Sequence, residues 1–272
     1  MINMPQIVEG IAVFGPYGNL ASGTGILWIH GYTMDHTAYE GLWNQMPEFR
    51  HYSLDLPGHG ISRKFHPRET LPELGREVAN IAKGLNLRHI AGVSFGGLIA
   101  LQAALESPDY FASLLLNSSP VGGEAQDPAA ITRNLELRRL YAEKGPGKWL
   151  GELWMQWPPD IFKGASAHPN LFGRLRDMVE AHSWAELGDI SMAGIHGHRQ
   201  KGVDLAKISA ATLIVVGDDD IPVFKRNAEV IRRNIPNSTR VYLPGAGHLG
   251  FLELPEGSAE LIRNFYLSLG IK

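Results

Sequence analysis

The sequence of 272 residues contains no cysteine. Disulfide bonds, thiolate metal sites and a cysteine nucleophile are therefore excluded, and the absence fits a reducing compartment. Residues 1–14 include the acidic Glu9 and have neither a basic start nor a sustained apolar run, so they do not read as a signal peptide. We therefore expect a cytoplasmic protein.

An excess of basic residues is also missing, because the formal net charge is −3 at pH 7. The sequence therefore lacks the excess of positive charge that is typical of proteins that bind nucleic acid. Residues 90–105 form the longest apolar stretch, which is too short for a membrane span and is interrupted by glycines. Neither a nucleic acid nor a membrane is expected as a partner. A hydrophobic fraction of 44% predicts a globular protein, and the length allows one large domain with an insertion.

The stretch from 89 to 101 predicts a buried strand that turns at once into a helix, with Ser94 at the corner. Such a turn forces the corner residue toward positive φ, which crowds its Cβ. Gly92 and Gly96 remove the side chains that would collide there. The Ser94 hydroxyl is thereby exposed, and the helix that begins at Phe95 points its unpaired N–H groups toward the same place.

Strands and helices alternate on both sides of this turn. Thr70 and Glu73 have the spacing of a capping box that starts one of the helices. The predicted strands cover residues 6–14, 25–30, 50–55, 112–117, 212–217 and 239–243, with a turn at 15–19 after the first strand. The predicted helices cover residues 36–46, with Asp35 as N-cap, 70–84, 95–105, 224–234 and 255–269.

Residues 121–205 show helical patterns only. We therefore predict an α/β fold with a doubly wound, mostly parallel sheet and an inserted helical cap. The core domain would comprise residues 1–120 and 206–272, and the cap residues 121–205.

A serine hydroxyl becomes a good nucleophile when a base takes its proton and a third group fixes the tautomer of that base. His248 is the candidate base, since it follows the last strand in a glycine-rich loop. The candidate acids are Asp218, Asp219 and Asp220, at the carboxyl end of a buried strand, where ligand-facing residues of open sheets collect. The residues alone leave the choice among the three open.

With Gly-x-Ser-x-Gly, the aspartates and Gly-His followed by Glu-x-Pro, the chain resembles the α/β-hydrolase family over nearly its whole length. The resemblance implies a Ser-His-Asp triad of Ser94, His248 and Asp220, in the chain order of the family. The family acid usually lies three residues after the strand glycine, which is Asp220. The loop before the next proline is shorter than usual, so Asp218 or Asp219 stays an alternative.

His30-Gly31-Tyr32 resembles the family's His-Gly-x element. This resemblance implies an oxyanion hole made by the N–H groups of Tyr32 and Phe95, with His30 bracing the loop. Residues 55–62 match a further family segment, for which we expect a structural role at the base of the site.

The resemblance implies hydrolysis of a carboxylic ester, thioester or lactone through an acyl-enzyme, with no cofactor. A serine at the corner argues against the epoxide hydrolase and haloalkane dehalogenase branches, which have an aspartate there. Two alternatives stay open: a carbon–carbon bond hydrolase or lyase with the same triad, and a receptor-like binding protein with very slow turnover.

Four of the six tryptophans fall in the predicted cap: Trp149, Trp154, Trp157 and Trp184. An apolar roof over a serine favours a hydrophobic small-molecule substrate, and we predict that Trp154 and Trp157 contact it. His196 and His198 have the spacing of a metal pair, but no third ligand is in view. We expect them to lie in a surface loop, and we expect no metal site.

Overall fold

In the computed structural model, residues 4–18 and 23–271 are described. Their strands form one sheet with the spatial order β1-β2-β4-β3-β5-β6-β7-β8. The bounds are β1 Gln6–Val8, β2 Ile11–Gly18, β3 Gly25–Ile29, β4 Arg50–Leu54, β5 His89–Val93, β6 Ser113–Asn117, β7 Ala211–Gly217 and β8 Ser238–Leu243. All neighbours from β4 to β8 pair in parallel, whereas β1, β2 and β4 pair antiparallel. The predicted mostly parallel sheet is confirmed.

The predicted single strand over residues 6–14 is wrong, because the chain turns back at Glu9 and Gly10. Both residues have positive φ (51° and 80°), which is the turn geometry that joins two tightly paired strands. β2 then continues to Gly18 with an irregularity between Phe14 and Tyr17, where a turn is predicted. The last residue of that predicted turn, Asn19, lies outside the described residues.

The helices cover both faces of the sheet, as the doubly wound prediction requires. Outside the segment between β6 and β7 they are α1 Glu40–Trp43, α2 Leu71–Gly84, α3 Phe95–Glu106, α9 Pro222–Asn234, α10 Gly250–Glu253 and α11 Pro255–Ser268. The capping box that starts α2 is present, since Thr70 Oγ1 accepts from Glu73 N and Glu73 Oε2 accepts from Thr70 N. α2 and α3 lie on one face and α1 and α11 on the other.

The predicted helix over residues 36–46 is reduced to the single turn of α1. Side-chain acceptors take the N–H groups that a helix would need: Asp35 Oδ1 accepts from Thr37 N at 2.8 Å, and Asp55 Oδ1 accepts from His36 N at 2.9 Å. Such local bonds compete with a helix and favour turns. Asp35 therefore holds a turn instead of capping a helix.

The segment between β6 and β7, residues 118–210, is described completely and contains helices without a strand. We call it the helical insertion. Its helices are α4 Pro128–Lys144, α5 Lys148–Trp154, α6 Pro169–Ala181, α7 Ala193–His196 and α8 Gly202–Leu205, with short 3₁₀ turns at Asp160–Phe162, Ala165–Ala167 and Ala185–Gly188. No helix of the described chain combines the length and the apolar composition that a bilayer crossing requires.

A buried histidine in β4 ties the sheet to the loop after α1. Trp28 Nε1–H donates to His51 Nδ1 at 3.1 Å, so the other ring nitrogen, Nε2, carries the proton and donates to Met46 O at 2.8 Å. Burial lowers the pKa of His51 to about 4. The folded protein therefore requires the neutral ring.

We predict that the free energy of unfolding falls as the pH is lowered from about 6.5 to about 4, partly because the unfolded state protonates His51 first. Each unit of pKa difference corresponds to about 1.4 kcal/mol, and the contribution is fully present above the unfolded pKa. Urea unfolding across this range should give a flatter pH profile for His51→Gln than for the wild type. Parallel profiles would contradict this role of His51.

Candidate active site

Ser94 lies between β5 and α3 with φ 52° and ψ −121°, the strained corner that the sequence predicts. No residue with a side chain fits at the two flanking glycines, Gly92 and Gly96. A Cβ on Gly92 would lie 2.4 Å from the carbonyl oxygen of Gly96, and a Cβ on Gly96 would lie 2.1 Å from that of Ile29. The turn is thus fixed by close backbone approach on both sides, and it leaves the Ser94 side chain at the surface of a cavity.

His248 follows β8, and its fully buried ring bridges two other side chains. Its Nε2 lies 2.9 Å from Ser94 Oγ, and its Nδ1 lies 2.9 Å from Asp220 Oδ1. Because a carboxylate only accepts, Nδ1 carries the ring proton and Nε2 is left to accept from the serine hydroxyl. This is the tautomer that a base for Ser94 needs.

Of the three candidate aspartates, the structure brings Asp220 into contact with His248. Asp220 is buried and also accepts from Ile221 N at 2.7 Å through Oδ1. Asp218 and Asp219 are exposed, and Asp218 Oδ1 accepts from Gly245 N at 2.7 Å. Within the described chain, the second oxygen of Asp220, Oδ2, is buried without a hydrogen-bond partner.

Two buried side chains that the sequence reasoning missed hold the loop that carries His248. Glu253 accepts on both sides of the histidine, from Gly247 N at 2.5 Å and from Leu249 N at 3.0 Å. Asn117 accepts from Phe251 N at 2.8 Å through its side chain. The backbone oxygen of Asn117 also accepts from Ser94 N at 2.9 Å, so this one residue links the serine corner to the histidine loop.

Burial raises the pKa of Glu253, and the two N–H groups only partly oppose this. The Glu-x-Pro pattern marks the position of Glu253 in the sequence, but its role depends on the backbone course of the loop.

The two candidate oxyanion donors, Tyr32 and Phe95, line the same cavity as Ser94. Phe95 is the first residue of α3, so its N–H has no acceptor inside the helix. In the hydrogen bonds of the described residues, neither the Tyr32 N–H nor the Phe95 N–H donates to another protein group. Both are therefore available to a bound ligand.

His30 braces the loop after β3, as the resemblance implies. Its Nε2 accepts from Leu56 N at 3.0 Å, and its Nδ1 bonds to Gly31 O at 2.8 Å. Burial lowers the pKa of His30 although Asp55 opposes this. Asp55 accepts from Ile61 N at 3.0 Å, so the 55–62 segment is closed by a hydrogen bond of its own, and its Leu56 contacts His30.

The cavity at Ser94 has a volume of about 360 Å³ and lies between the sheet edge and the helical insertion. Its wall is largely apolar, with Leu98, Val121, Ile131, Leu135, Leu187, Met192, Ile195, Val223 and Phe224. Polar side chains, among them Asn134, Arg138 and Glu186, interrupt this wall. A second concavity of about 420 Å³, near the start of α6, does not include Ser94.

The two tryptophans predicted to contact substrate have different positions. Trp154 lines the cavity, whereas Trp157 does not and is 48% exposed. Trp157 follows the end of α5, where the chain turns outward, and the helical pattern does not reveal that exit. His196 is exposed, as expected of a surface residue, but it ends α7 instead of lying in a loop, and it lines the cavity. His198 lies in the loop after α7. Among the described residues no group of three potential ligands is placed to hold a metal ion.

We predict that Glu253→Gln lowers the free energy of unfolding by about 2 kcal/mol, because the amide NH₂ replaces one of two acceptor oxygens and faces a backbone N–H. Thermal and urea unfolding measure this loss. Glu256→Gln, an exposed neighbour in the first turn of α11, is the matched control and should change stability by less than about 0.5 kcal/mol. Equal stabilities of the two variants would disprove the bracing role of Glu253.

The family model described as the alpha/beta hydrolase family matches residues 26–261. A pimeloyl-[acyl-carrier protein] methyl ester esterase from Nitrosomonas europaea is 25% identical, over 86% of this chain and 92% of the relative. The dihydrolipoyllysine-residue acetyltransferase component of an acetoin cleaving system from Pseudomonas putida is 30% identical over 86% of this chain, which spans only 61% of that relative.

Among solved structures, a thermophilic esterase from Thermogutta terrifontis has a TM-score of 0.77 and 26% identity, covering 95% of this chain and 94% of that one. The sheet order, the serine corner and these matches agree with the resemblance seen in the sequence. The chain belongs to the alpha/beta hydrolase family and is an enzyme of the carboxylesterase-like type.

Proposed function

We propose that the chain is a serine hydrolase that cleaves a carboxylic ester of a small, largely hydrophobic molecule through an acyl-enzyme. The observation that carries this proposal is the series of hydrogen bonds from Asp220 through His248 to Ser94, at the floor of a cavity. The esterase names of the Nitrosomonas relative and of the Thermogutta structure support an ester as substrate. Thioesters and lactones react by the same steps.

In the first half of the reaction, Ser94 Oγ attacks the substrate carbonyl carbon while His248 Nε2 takes the hydroxyl proton. Asp220 holds the ring in place and stabilises its positive charge. When the tetrahedral intermediate collapses, the bond to the alcohol oxygen breaks and His248 returns the proton to the leaving alcohol. Water then attacks the acyl-enzyme by the same route, which releases the acid and restores Ser94.

The carbonyl oxygen gains negative charge in each tetrahedral intermediate. The N–H groups of Tyr32 and Phe95 are the proposed donors, since both residues line the cavity and neither N–H donates to another group of the described residues. Prearranged donors at this position stabilise the transition state more than the ground state. The whole cycle uses side chains and backbone groups of this chain, so it needs no cofactor.

We further propose that the helical insertion acts as a cap over a core domain, with the division at residues 121–205. α4, α5 and the 3₁₀ turn Ala185–Gly188 supply cavity residues opposite Ser94. A volume of about 360 Å³ lies at the lower end of the range of about 300–1,000 Å³ that is usual for small-molecule sites. The enclosed part of the substrate is therefore of moderate size.

We predict that Ser94→Ala lowers kcat/KM for a simple aryl ester by about 10⁴-fold or more, because the nucleophile is lost while the corner glycines remain. Asp220→Asn should lower it by about 10⁴-fold, because the imidazole tautomer and the imidazolium lose their partner. Asp219→Asn is the matched control, and its activity should stay within about twofold of the wild type. Wild-type turnover by Ser94→Ala would refute the proposed function, and a crippled Asp219→Asn would move the acid by one residue.

We also predict that kcat/KM rises with acyl length over the first few carbons, by up to about fourfold per methylene, because each buried methylene contributes about 0.8 kcal/mol. Kinetics on aryl esters from acetate to octanoate measure this. Trp154→Ala should change the preferred length, whereas Trp157→Ala, outside the cavity, should not. A preference for acetate that Trp154→Ala leaves unchanged would show that the cavity does not select the acyl chain.

A further inference from the structure

The helical insertion makes hydrogen bonds to Tyr32 and Thr33, in the loop that carries the Tyr32 N–H. Trp154 Nε1–H, at the end of α5, donates to Thr33 Oγ1 at 2.9 Å. Glu186 Oε1, in the 3₁₀ turn Ala185–Gly188, accepts from the Tyr32 hydroxyl. These bonds join residues that are 121 and 154 positions apart in the sequence. The insertion is therefore attached directly to the two residues that follow Gly31.

Thr33 has a backbone conformation that needs such support. Its φ is 64°, a region in which a β-branched residue is a true outlier and is strained. Strain of this kind persists only where the surroundings impose it. Thr33 N donates to His59 Nε2 at 3.1 Å, and Thr33 Oγ1 donates to Tyr32 O at 2.6 Å while it accepts from Trp154. Every polar atom of the Thr33 side chain and its N–H are thus engaged.

The bond at Tyr32 is built from buried partners. Glu186 is 3% exposed, and the oxygen that accepts from Tyr32 also bonds to His182 Nε2 at 2.9 Å. Burial opposes the ionisation of Glu186, but the bonds from His182 and Tyr32 outweigh it and lower the pKa of this carboxyl. The Tyr32 ring also packs edge-to-face against Trp154, with ring centroids 5.5 Å apart. The insertion therefore contacts the Tyr32 side chain both at its hydroxyl and at its ring.

We propose that Trp154 and Glu186 are positioning residues for the reaction: they hold the Tyr32–Thr33 segment so that the Tyr32 N–H points at the developing oxyanion. The inference rests on the proposed function. Because Trp154, Glu186 and the neighbouring Leu187 also line the cavity, the same elements contact the substrate and set the donor. An oxyanion donor displaced by a fraction of an ångström loses much of its effect, since the bond is needed only in the transition state.

Two variants remove one tether each and keep the shape of the side chain: Tyr32→Phe and Thr33→Val. In both we expect kcat for an aryl ester to fall by about 10- to 100-fold with KM within about twofold, because ground-state binding is untouched. Affinity for a trifluoromethyl ketone, which forms a tetrahedral oxyanion on the serine, should fall by the same factor as kcat/KM. Affinity for the unreactive methyl carbinol of the same size should stay unchanged.

Thr212→Val is the matched control for Thr33→Val, since Thr212 is also buried and its hydroxyl donates to a backbone oxygen, at 3.0 Å, at the start of β7. Thr212→Val should keep the wild-type kcat, and its melting temperature should fall by about as much as that of Thr33→Val. Glu186→Gln keeps an acceptor oxygen for Tyr32, so it should retain several-fold more kcat than Glu186→Leu.

A rise in KM with kcat unchanged in both tether variants would overturn the proposal, because the residues would then only form the cavity wall. A loss of melting temperature with wild-type kcat in the folded protein would overturn it as well. Ser94→Ala separates these failures from a failure of the proposed function. If Ser94→Ala is inactive and the tether variants are unaffected, only the positioning role is wrong.

Discussion

The arrangement of the site depends on the backbone at Ser94, which is held in the left-handed region at the end of β5. That conformation exists because Gly92 and Gly96 allow contacts that no other residue permits. It is held in place by neighbouring elements, since Ser94 N donates to Asn117 O in the adjacent strand. The strained backbone of Ser94 is therefore held by the buried centre of the sheet. The Ser94 hydroxyl lies at the end of β5 as a result of this backbone conformation.

The parallel sheet explains why residues far apart in sequence meet at this point. Ser94, Asp220 and His248 each follow a strand at its carboxyl end, and parallel strands bring those ends to one edge. Ser94 and His248 are 154 positions apart, and a single buried imidazole spans the distance between the two loops. A small set of acceptors on Glu253 and Asn117 fixes the loop of His248, so the geometry is set before a ligand arrives.

The sequence predicts what depends on local pattern or on strand order. The strand–serine–helix corner, the capping box at Thr70 and the parallel sheet follow from glycine spacing, side-chain caps and alternation. The turn at Glu9 and the loss of the helix after Asp35 were not predicted, because competing side-chain acceptors and a two-residue turn leave little trace in periodicity. The outward position of Trp157 and the contacts of Glu186 depend on how the helical insertion packs, which no local pattern encodes.

The acyl-enzyme at Ser94 is the central claim, and mass spectrometry of the protein quenched in acid during turnover of an aryl ester tests it most directly. We expect a mass increase equal to the acyl group minus one hydrogen, located on the peptide that contains Ser94, and no such adduct in the Ser94→Ala protein. An acyl group found on another residue, or no acyl-protein at any quench time while the aryl ester is being turned over, would contradict it.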